Sequence, residues 1–427
     1  MIRYEQRNGD FGVFLFGGLW YNGAVFWEDV GMKRNSIVTI GAAAGMLLGL
    51  GILYTWSIFR VQLAEVFPGL SAAQLSMNFS IVSIGFCLGG FGGGKLAERK
   101  SQRFAVRLAA GMIFIGFMGC SMMEGRSESA ALGMLYVFYG VFCGVGVGIG
   151  YNACVSGTTP WFPNRLGLVS GILLMGFGFG SMVLGFAVEA LYVVMSVFGV
   201  FRLAAVGIPI VLIAGSFTMK KPESGTQDTS DGLRPGQMLK RPSFWIYFVW
   251  NTVAASSGLL VINSCANIAA AFGAAASLGL IVSLFNGAGR PVTGAVMDKL
   301  GQFRGMLVMN GILLTGGALL VVAAKTGAAG AVFAGMIFVG ICYGGGVTIS
   351  SKVIRDLYGP QYYGVNFSLS NFCMIPAAFI GPYLSGVLQD RSGGRYDGTF
   401  LMVVIMALIA LASIFVLKGQ IRRESAK

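Results

Sequence analysis

Apolar runs of about twenty residues, the length a helix needs to cross a hydrocarbon core about 30 Å thick, recur along this chain between short polar clusters. Eight stand alone, at 36–59, 71–93, 104–123, 129–154, 306–324, 328–350, 363–388 and 400–416. Two longer runs are each too long for one helix. Residues 166–219 are broken only by Glu189 and Arg202, and 243–297 hold a single charge, Arg290. Read as pairs joined by tight turns, they bring the total to twelve predicted spans. Of the 30 Lys and Arg, 23 fall in the segments that share a side with the amino terminus, 6 in the alternate segments, and Arg290 lies within a span. That asymmetry places both termini in the cytoplasm of a multi-pass protein of the cell membrane.

The largest polar interruption, around Lys220, Glu223, Asp228, Asp231 and Arg241, cuts the pattern in half. The expected organisation is a cytoplasmic amino-terminal segment 1–35, a six-helix bundle 36–219, a cytoplasmic linker 220–242, a second six-helix bundle 243–417 and a cytoplasmic tail 418–427. Residues 1–31 fit poorly, and two readings stay open for them. They are an over-extended start ahead of Met32-Lys33-Arg34, or a peripheral amphipathic segment. The halves repeat one another. Gly94-Lys95-Leu96-Ala97-Glu98-Arg99 follows the second span and Gly294-Ala295-Val296-Met297-Asp298-Lys299 follows the eighth, 200 residues on. A duplicated six-span unit around a midplane site is a transporter architecture.

Composition removes the competing classes. The 427 residues are 55% hydrophobic and 11% charged, against about 25% charged in soluble domains. This excludes a soluble enzyme, a disordered chain and a disulfide-stapled secreted domain. The net charge of +13 lies between spans, where it orients the protein, and implies no nucleic acid. The chain has no His, so imidazole metal ligands, His-activated nucleophiles and His proton relays are absent. The seven Cys lie in apolar stretches without Cys-x-x-Cys spacing and read as small buried hydrophobes. Neither a metal nor a cofactor is expected, and an enzyme has little to be built from.

The loops at 94–103 and 294–304 resemble the signature of the major facilitator superfamily, in which Gly, three residues, an acid, a base and further Arg follow in order. The finer motifs resemble one branch, the oxalate–formate antiporters and their monocarboxylate-transporter-like relatives. These motifs are Tyr54-Thr55-Trp56-Ser57-Ile58-Phe59, Gly146-Val147-Gly148-Ile149-Gly150-Tyr151, Trp161-Phe162-Pro163-Asn164-Arg165, Phe285-Asn286-Gly287-Ala288-Gly289-Arg290-Pro291 and Cys342-Tyr343-Gly344-Gly345. The resemblance implies an all-α membrane protein of twelve transmembrane helices in two six-helix bundles, the major facilitator fold. It also implies a monomer that moves a small organic anion by alternating access. Gly94, Glu98, Arg99, Gly294, Asp298 and Lys299 are then the expected gating residues. Their physical role is readable from the chemistry, since a carboxylate at a helix end caps amides and pairs with nearby Arg.

Arg290 carries the sharpest chemical signal. It lies eight residues before Asp298, or roughly 12 Å into the core at 1.5 Å per residue. An Arg near the midplane costs at least about 2.5 kcal/mol, so it faces a cavity or a partner. No Asp or Glu lies at similar depth in the predicted spans, and a planar guanidinium suits a carboxylate in bidentate fashion. A structural Arg bonded to backbone carbonyls, or one that snorkels to the cytoplasmic side, is the competing reading. By resemblance, the family's substrate-binding Arg in span eight falls on Arg290. The Lys that the oxalate–formate antiporter places in span eleven is replaced here by Cys373 or Met374, which points to a monoanion rather than a dianion.

Asn286, one turn before Arg290, shares its face. It stands where proton-coupled monocarboxylate transporters have an Asp, and Asn cannot titrate. Exchange or facilitated movement is therefore expected over proton symport, although Asn286 also reads as an interhelical hydrogen-bonding residue. Tyr54, Tyr151 and Tyr343 match family positions that line the cavity, and a phenol offers a packing edge and a donor. Core packing is the alternative for each; Trp56 and Asn371 are weaker candidates. Gly140, Gly144 and Gly148 are expected to let helices approach closely. Gly176, Gly178 and Gly180 are expected to loosen span five, as Pro376 and Pro382 do span eleven.

Overall fold

A computed structural model describes residues 34–161, 166–219, 232–359 and 361–425. The segment upstream of Arg34, most of the linker and part of the motif after Trp161 lie outside them. The described chain is helical throughout its ordered elements. In chain order these are α1 (Ile37–Val66), α2 (Ala72–Ala97), α3 (Gln102–Ser121) and α4 (Glu128–Thr158). Next come α5 (Leu166–Leu191), α6 (Val197–Ser216) and α7 (Pro242–Ala271). The rest are α8 (Ile281–Leu300), α9 (Gln302–Thr326), α10 (Ala329–Tyr358), α11 (Val365–Arg391) and α12 (Asp397–Glu424). Eleven of the described helices are long and apolar enough to cross a membrane. The twelfth, α8, has the length, 20 residues, but Arg290, Pro291, Asp298 and Lys299 lower its hydropathy.

Hydroxyl residues start several spans. Ser71 caps α2 in a reciprocal box, its Oγ accepting from Gln74 N at 3.2 Å while Gln74 Oε1 accepts from Ser71 N at 2.8 Å. Ser101, Ser127 and Ser196 do the same more simply for α3, α4 and α6. Each cap satisfies amides that a helix start otherwise leaves open. The bundle's polarity is that of a protein in lipid. Ile210, Phe217, Phe415 and Val416 lie on the outside, while Ser57, Ser256, Asn263 and Asn286 are fully buried. Inside, polar groups join helices that hydrocarbon gives no hydrophobic reason to associate.

The two halves repeat one packing scheme. In the first, α1 packs on α5, α2 on α4 and α3 on α6; in the second, α7 packs on α11, α8 on α10 and α9 on α12. The halves meet along α5 with α8, α2 with α11, and α1 with α7. Close crossings in the two halves are made by glycines 200 residues apart. A Cβ on Gly89 would overlap the Val145 carbonyl, and one on Gly144 would stand 2.7 Å from the Val82 carbonyl oxygen. Their counterparts Gly289 and Gly344 lie against the carbonyls of Ile341 and Asn286. The sequence repeat is thus a repeat of backbone-to-backbone packing.

Two sequence expectations change. The first span runs past Phe59 to Val66, so Arg60 is not an outer-loop charge but a buried one, 2% exposed. The amphipathic turn Val61-Gln62-Leu63-Ala64 carries the helix onward although the apolar run has ended. Gly176, Gly178 and Gly180 do not loosen α5, which is unbroken from Leu166 to Leu191. They admit neighbouring backbones instead. A Cβ on Gly176 would lie 3.1 Å from the Ala44 carbonyl oxygen and one on Gly178 3.0 Å from Gly287 Cα, while Gly180 faces the Leu48 carbonyl. The irregularity sits in α11, which tightens to a 3-10 turn at Asn371–Cys373 and widens to a π turn at Phe379–Tyr383, on either side of Pro376. A second π turn, Leu135–Cys143 in α4, left no mark in the sequence pattern. Such turns free backbone carbonyls and often mark sites where a helix must bend.

Candidate functional site

Arg290 stands at the tenth position of the 20-residue helix α8, as far from either end as the helix allows. It is 5% exposed. Its Nε and Nη1 atoms have no hydrogen-bond partner among the described residues. A buried guanidinium left in that state is costly unless something else neutralises it.

Hydroxyls gather around it from both halves. The Tyr151 phenol of α4 faces the guanidinium. The Tyr54 and Tyr343 hydroxyls bond to each other at 3.1 Å, joining α1 to α10 across the interface, and both lie within electrostatic reach of Arg290. Behind them runs an aromatic wall that the motifs did not single out. Phe177 meets Tyr54 edge-on at 5.3 Å and Tyr151 at 5.0 Å, and Phe86 meets Tyr151 at 5.2 Å. The repeat explains the division of labour. Gly90 occupies the position 200 residues before Arg290, so only the second half carries the cation, while Tyr54, Phe86, Tyr151 and Phe177 all come from the first.

Asn286 is wholly buried and shares α8 with Arg290. Its Oδ1 and carbonyl stand over Gly344 of α10, and neither side-chain polar atom has a partner among the described residues. Cys373, one of the two residues expected where the resemblance places a Lys, is 1% exposed and lies beside Asn251. Trp56 lies away from this group, its indole donating to Asn263 Oδ1 at 3.2 Å. The Asn371 carbonyl accepts from Cys87 Sγ at 3.6 Å. Among the described residues no three His, Cys, Asp or Glu side chains gather as a metal would need.

The residues expected in loops are helical instead: 94–99 fall at the end of α2 and 294–299 in the last turns of α8, at the end of the bundle that carries the carboxyl terminus. Asp298 pairs with Lys352 of α10 at 2.8 Å, within one half. Arg99 and Lys299 are exposed, and the Glu98 side chain lies outside the described set. Gly94 lies under Asn152, where a Cβ would meet Oδ1 at 3.2 Å, and Gly294 has room beside Thr348.

Tyr343 owes its place to a glycine. A Cβ on Gly258 of α7 would overlap the Tyr343 ring near its root, 2.5 Å from Tyr343 Cβ, where no rotation of the ring relieves it. Gly258→Ala is therefore expected to displace the Tyr343 hydroxyl and break its bond to Tyr54. Overpacking of this kind costs about 1–3 kcal/mol, so the unfolding midpoint should fall. Thermal unfolding of both proteins checks it.

The Major Facilitator Superfamily profile matches residues 41–374 and 252–427. An uncharacterised MFS-type transporter of Escherichia coli, YhjX, is 27% identical over 359 residues, covering 80% of this chain and 87% of its own. The oxalate:formate antiporter of Oxalobacter formigenes is 25% identical over 372 residues, 85% of this chain and 86% of its own. Monocarboxylate transporter 10 of Danio rerio is 24% identical over 306 residues, 68% of this chain and 60% of its own. Among solved structures, a D-xylose–proton symporter superposes with a TM-score of 0.70 at 16% identity, covering 89% of this chain and 96% of its own. A bacterial homologue of the lysosomal transporter Spinster gives 0.68 at 15% identity, 91% and 98%. The chain belongs to the major facilitator superfamily of membrane transporters, with relatives in the branch that holds the oxalate:formate antiporter and the monocarboxylate transporters.

Proposed function

We propose that this transporter moves a small organic monocarboxylate by alternating access, in exchange for a second anion, with Arg290 as the group that binds the carboxylate. One observation carries the reading: the buried Arg290 guanidinium, with Nε and Nη1 unpartnered among the described residues, faces a set of phenols. A carboxylate placed there accepts two parallel N–H bonds from Arg290. It is oriented further by the Tyr151 hydroxyl and by whichever of Tyr54 and Tyr343 is free to donate. The aromatic wall suits a short apolar tail. Asn286 supports exchange, since an amide one turn from the cation offers no proton to couple. The relatives named for oxalate and formate and for monocarboxylates support the substrate class.

In this reading the bundles are residues 36–219 and 243–417, joined by a cytoplasmic linker, with both termini cytoplasmic in the cell membrane and one chain as the working unit. The helix ends at 94–99 and 294–299 close the cytoplasmic side when the cavity opens outward. Occupancy neutralises Arg290 and lets the halves close around it, which is why an empty carrier returns slowly and exchange dominates.

Proteoliposomes test this directly. Labelled formate, lactate, pyruvate and oxalate are offered to vesicles preloaded with unlabelled substrate, and to empty vesicles under an inward proton gradient. The expected result is uptake of a monocarboxylate that requires preloading. Gradient-driven uptake into empty vesicles would assign proton symport instead. Preference for oxalate would require a second cation near the site.

A further inference from the structure

Most of the described hydrogen bonds between the halves lie toward one end of the bundle. Taken from Tyr54–Tyr343 toward the face opposite the carboxyl terminus, the described cross-half hydrogen bonds form a continuous set. Trp56 Nε1 donates to Asn263 Oδ1 at 3.2 Å, and Asn263 Nδ2 to Ser76 Oγ at 3.1 Å. Cys265 Sγ meets Ser57 Oγ at 3.1 Å, and Ser80 Oγ donates to the Ala378 carbonyl at 2.6 Å.

Three charged side chains close the set. Asp390, at the end of α11, accepts from the Ala72 and Ala73 amides that start α2, both at 2.9 Å. Glu189, at the end of α5, accepts at 3.4 Å from the Ser277 amide in the turn that leads into α8. The two acids are 201 residues apart and sit at matching helix ends. Asp390 closes two amides at the start of α2, and Glu189 one amide in the 3-10 turn Ala276–Leu280 ahead of α8, each in the other half. Arg60 completes the arrangement. Its Nη1 donates to Ser264 Oγ of α7 at 3.0 Å, and its Nη2 to Gln389 Oε1 of α11 and the Ala72 carbonyl, both at 3.4 Å. Two of its three acceptors therefore lie in the opposite half.

We infer that Asp390, Glu189 and Arg60 form a pseudo-two-fold latch that holds this face of the transporter shut, and that opening this face releases all three together. The chemistry favours a reversible device. A carboxylate on a helix N-terminus gains from open amides and from the helix dipole. Asp390 is exposed and Glu189 partly so, so water replaces their partners at modest cost when the halves part. Arg60 differs, being 2% exposed. Its acceptors are all neutral, which avoids the strong pairing with a buried acid that would lock the gate. Gly386 on α11 sets the closeness, since a Cβ there would stand 2.7 Å from Ala73 Cα.

The chain holds its own reporter. Cys265 lies next to the Ser264 acceptor, is fully buried in the sealed interface and carries a free thiol. Cys120 is equally buried, inside the first half on α3, away from the seam. The experiment is the rate of maleimide alkylation of both, read by peptide mass spectrometry on the full-length protein in detergent. Asp390→Ala and Glu189→Ala are each expected to raise the Cys265 rate about fivefold, the scale of one lost N-cap. Their combination should raise it roughly 25-fold, with Cys120 unchanged. Asp390→Asn and Glu189→Gln, which keep one acceptor oxygen, are expected to fall between. Arg60→Gln should act in the same direction. A double alanine variant that labels Cys265 at the wild-type rate overturns the latch, and so does a rise at Cys265 matched at Cys120. No transport is measured, so the outcome is independent of the substrate assignment.

Discussion

Arg290→Ala is expected to yield a folded, inserted protein that exchanges substrate at less than about one hundredth of the wild-type rate. Two charge-assisted hydrogen bonds to a carboxylate are worth about 3 kcal/mol or more together, and 1.4 kcal/mol is a factor of ten. Neither place where a second cation would be expected supplies one, because the position equivalent by repeat is Gly90 and the span-eleven position falls on Cys373 or Met374. Stability should hold or rise slightly, since a buried charge without a partner is itself costly. Arg290→Lys is expected to recover little. Lys presents a point charge rather than a planar fork, and its shorter reach leaves the Tyr151 hydroxyl without its neighbour. Exchange in proteoliposomes, with unfolding midpoints of the same preparations, checks both halves of this expectation. Normal exchange by Arg290→Ala would remove Arg290 from the site.

Gly344→Ala should damage the fold most among single-methyl changes. Its Cβ would enter the Asn286 carbonyl oxygen, with the Asn286 Oδ1 at 2.9 Å. Backbone is met by backbone, so α8 and α10 must move apart. Overpacking of this kind costs about 3 kcal/mol, against a gain of about 1 kcal/mol from replacing Gly by Ala in a helix. The same separation moves Arg290, one turn beyond Asn286, so activity should fall further than stability. Two residues on, Gly346 has nothing within 4 Å of a Cβ, and Gly346→Ala should leave the unfolding midpoint unchanged or raised. Gly144→Ala, the counterpart in the first half at 2.7 Å from the Val82 carbonyl oxygen, should behave as a milder Gly344→Ala. Equal midpoints for Gly344→Ala and Gly346→Ala would contradict the packing argument.

Much of this protein was readable because lipid imposes a simple rule on sequence. Spans must be apolar and of a set length, and the cationic loops alternate by side. The position of Arg290 along α8 followed from counting residues back to Asp298. The 200-residue repeat was legible at 94–99 and 294–299, and the structure extends it to the close helix crossings at Gly89, Gly144, Gly289 and Gly344. The same rule misled at Arg60, because an apolar run ends where the lipid-facing side becomes polar, whereas a helix ends where its backbone bonds do. Gly176, Gly178 and Gly180 misled for another reason. Glycine weakens an isolated helix, but against Ala44, Leu48 and Gly287 it is what lets the helix be packed.

The sequence by itself determined the pattern of spans, the duplication and the depth of Arg290, since each is a property of composition or spacing along one chain, while Tyr54, Tyr151 and Tyr343 came from the resemblance of their motifs. Only the tertiary structure decided which residues meet: that Tyr54 and Tyr343, 289 residues apart, share a hydrogen bond across the halves, that Phe86 and Phe177 back Tyr151, and that Asp390 and Glu189 each accept from backbone amides of the other half. Such contacts depend on how two bundles are set against each other. That relation is held by partners hundreds of residues apart, and no local period or run along the chain records it.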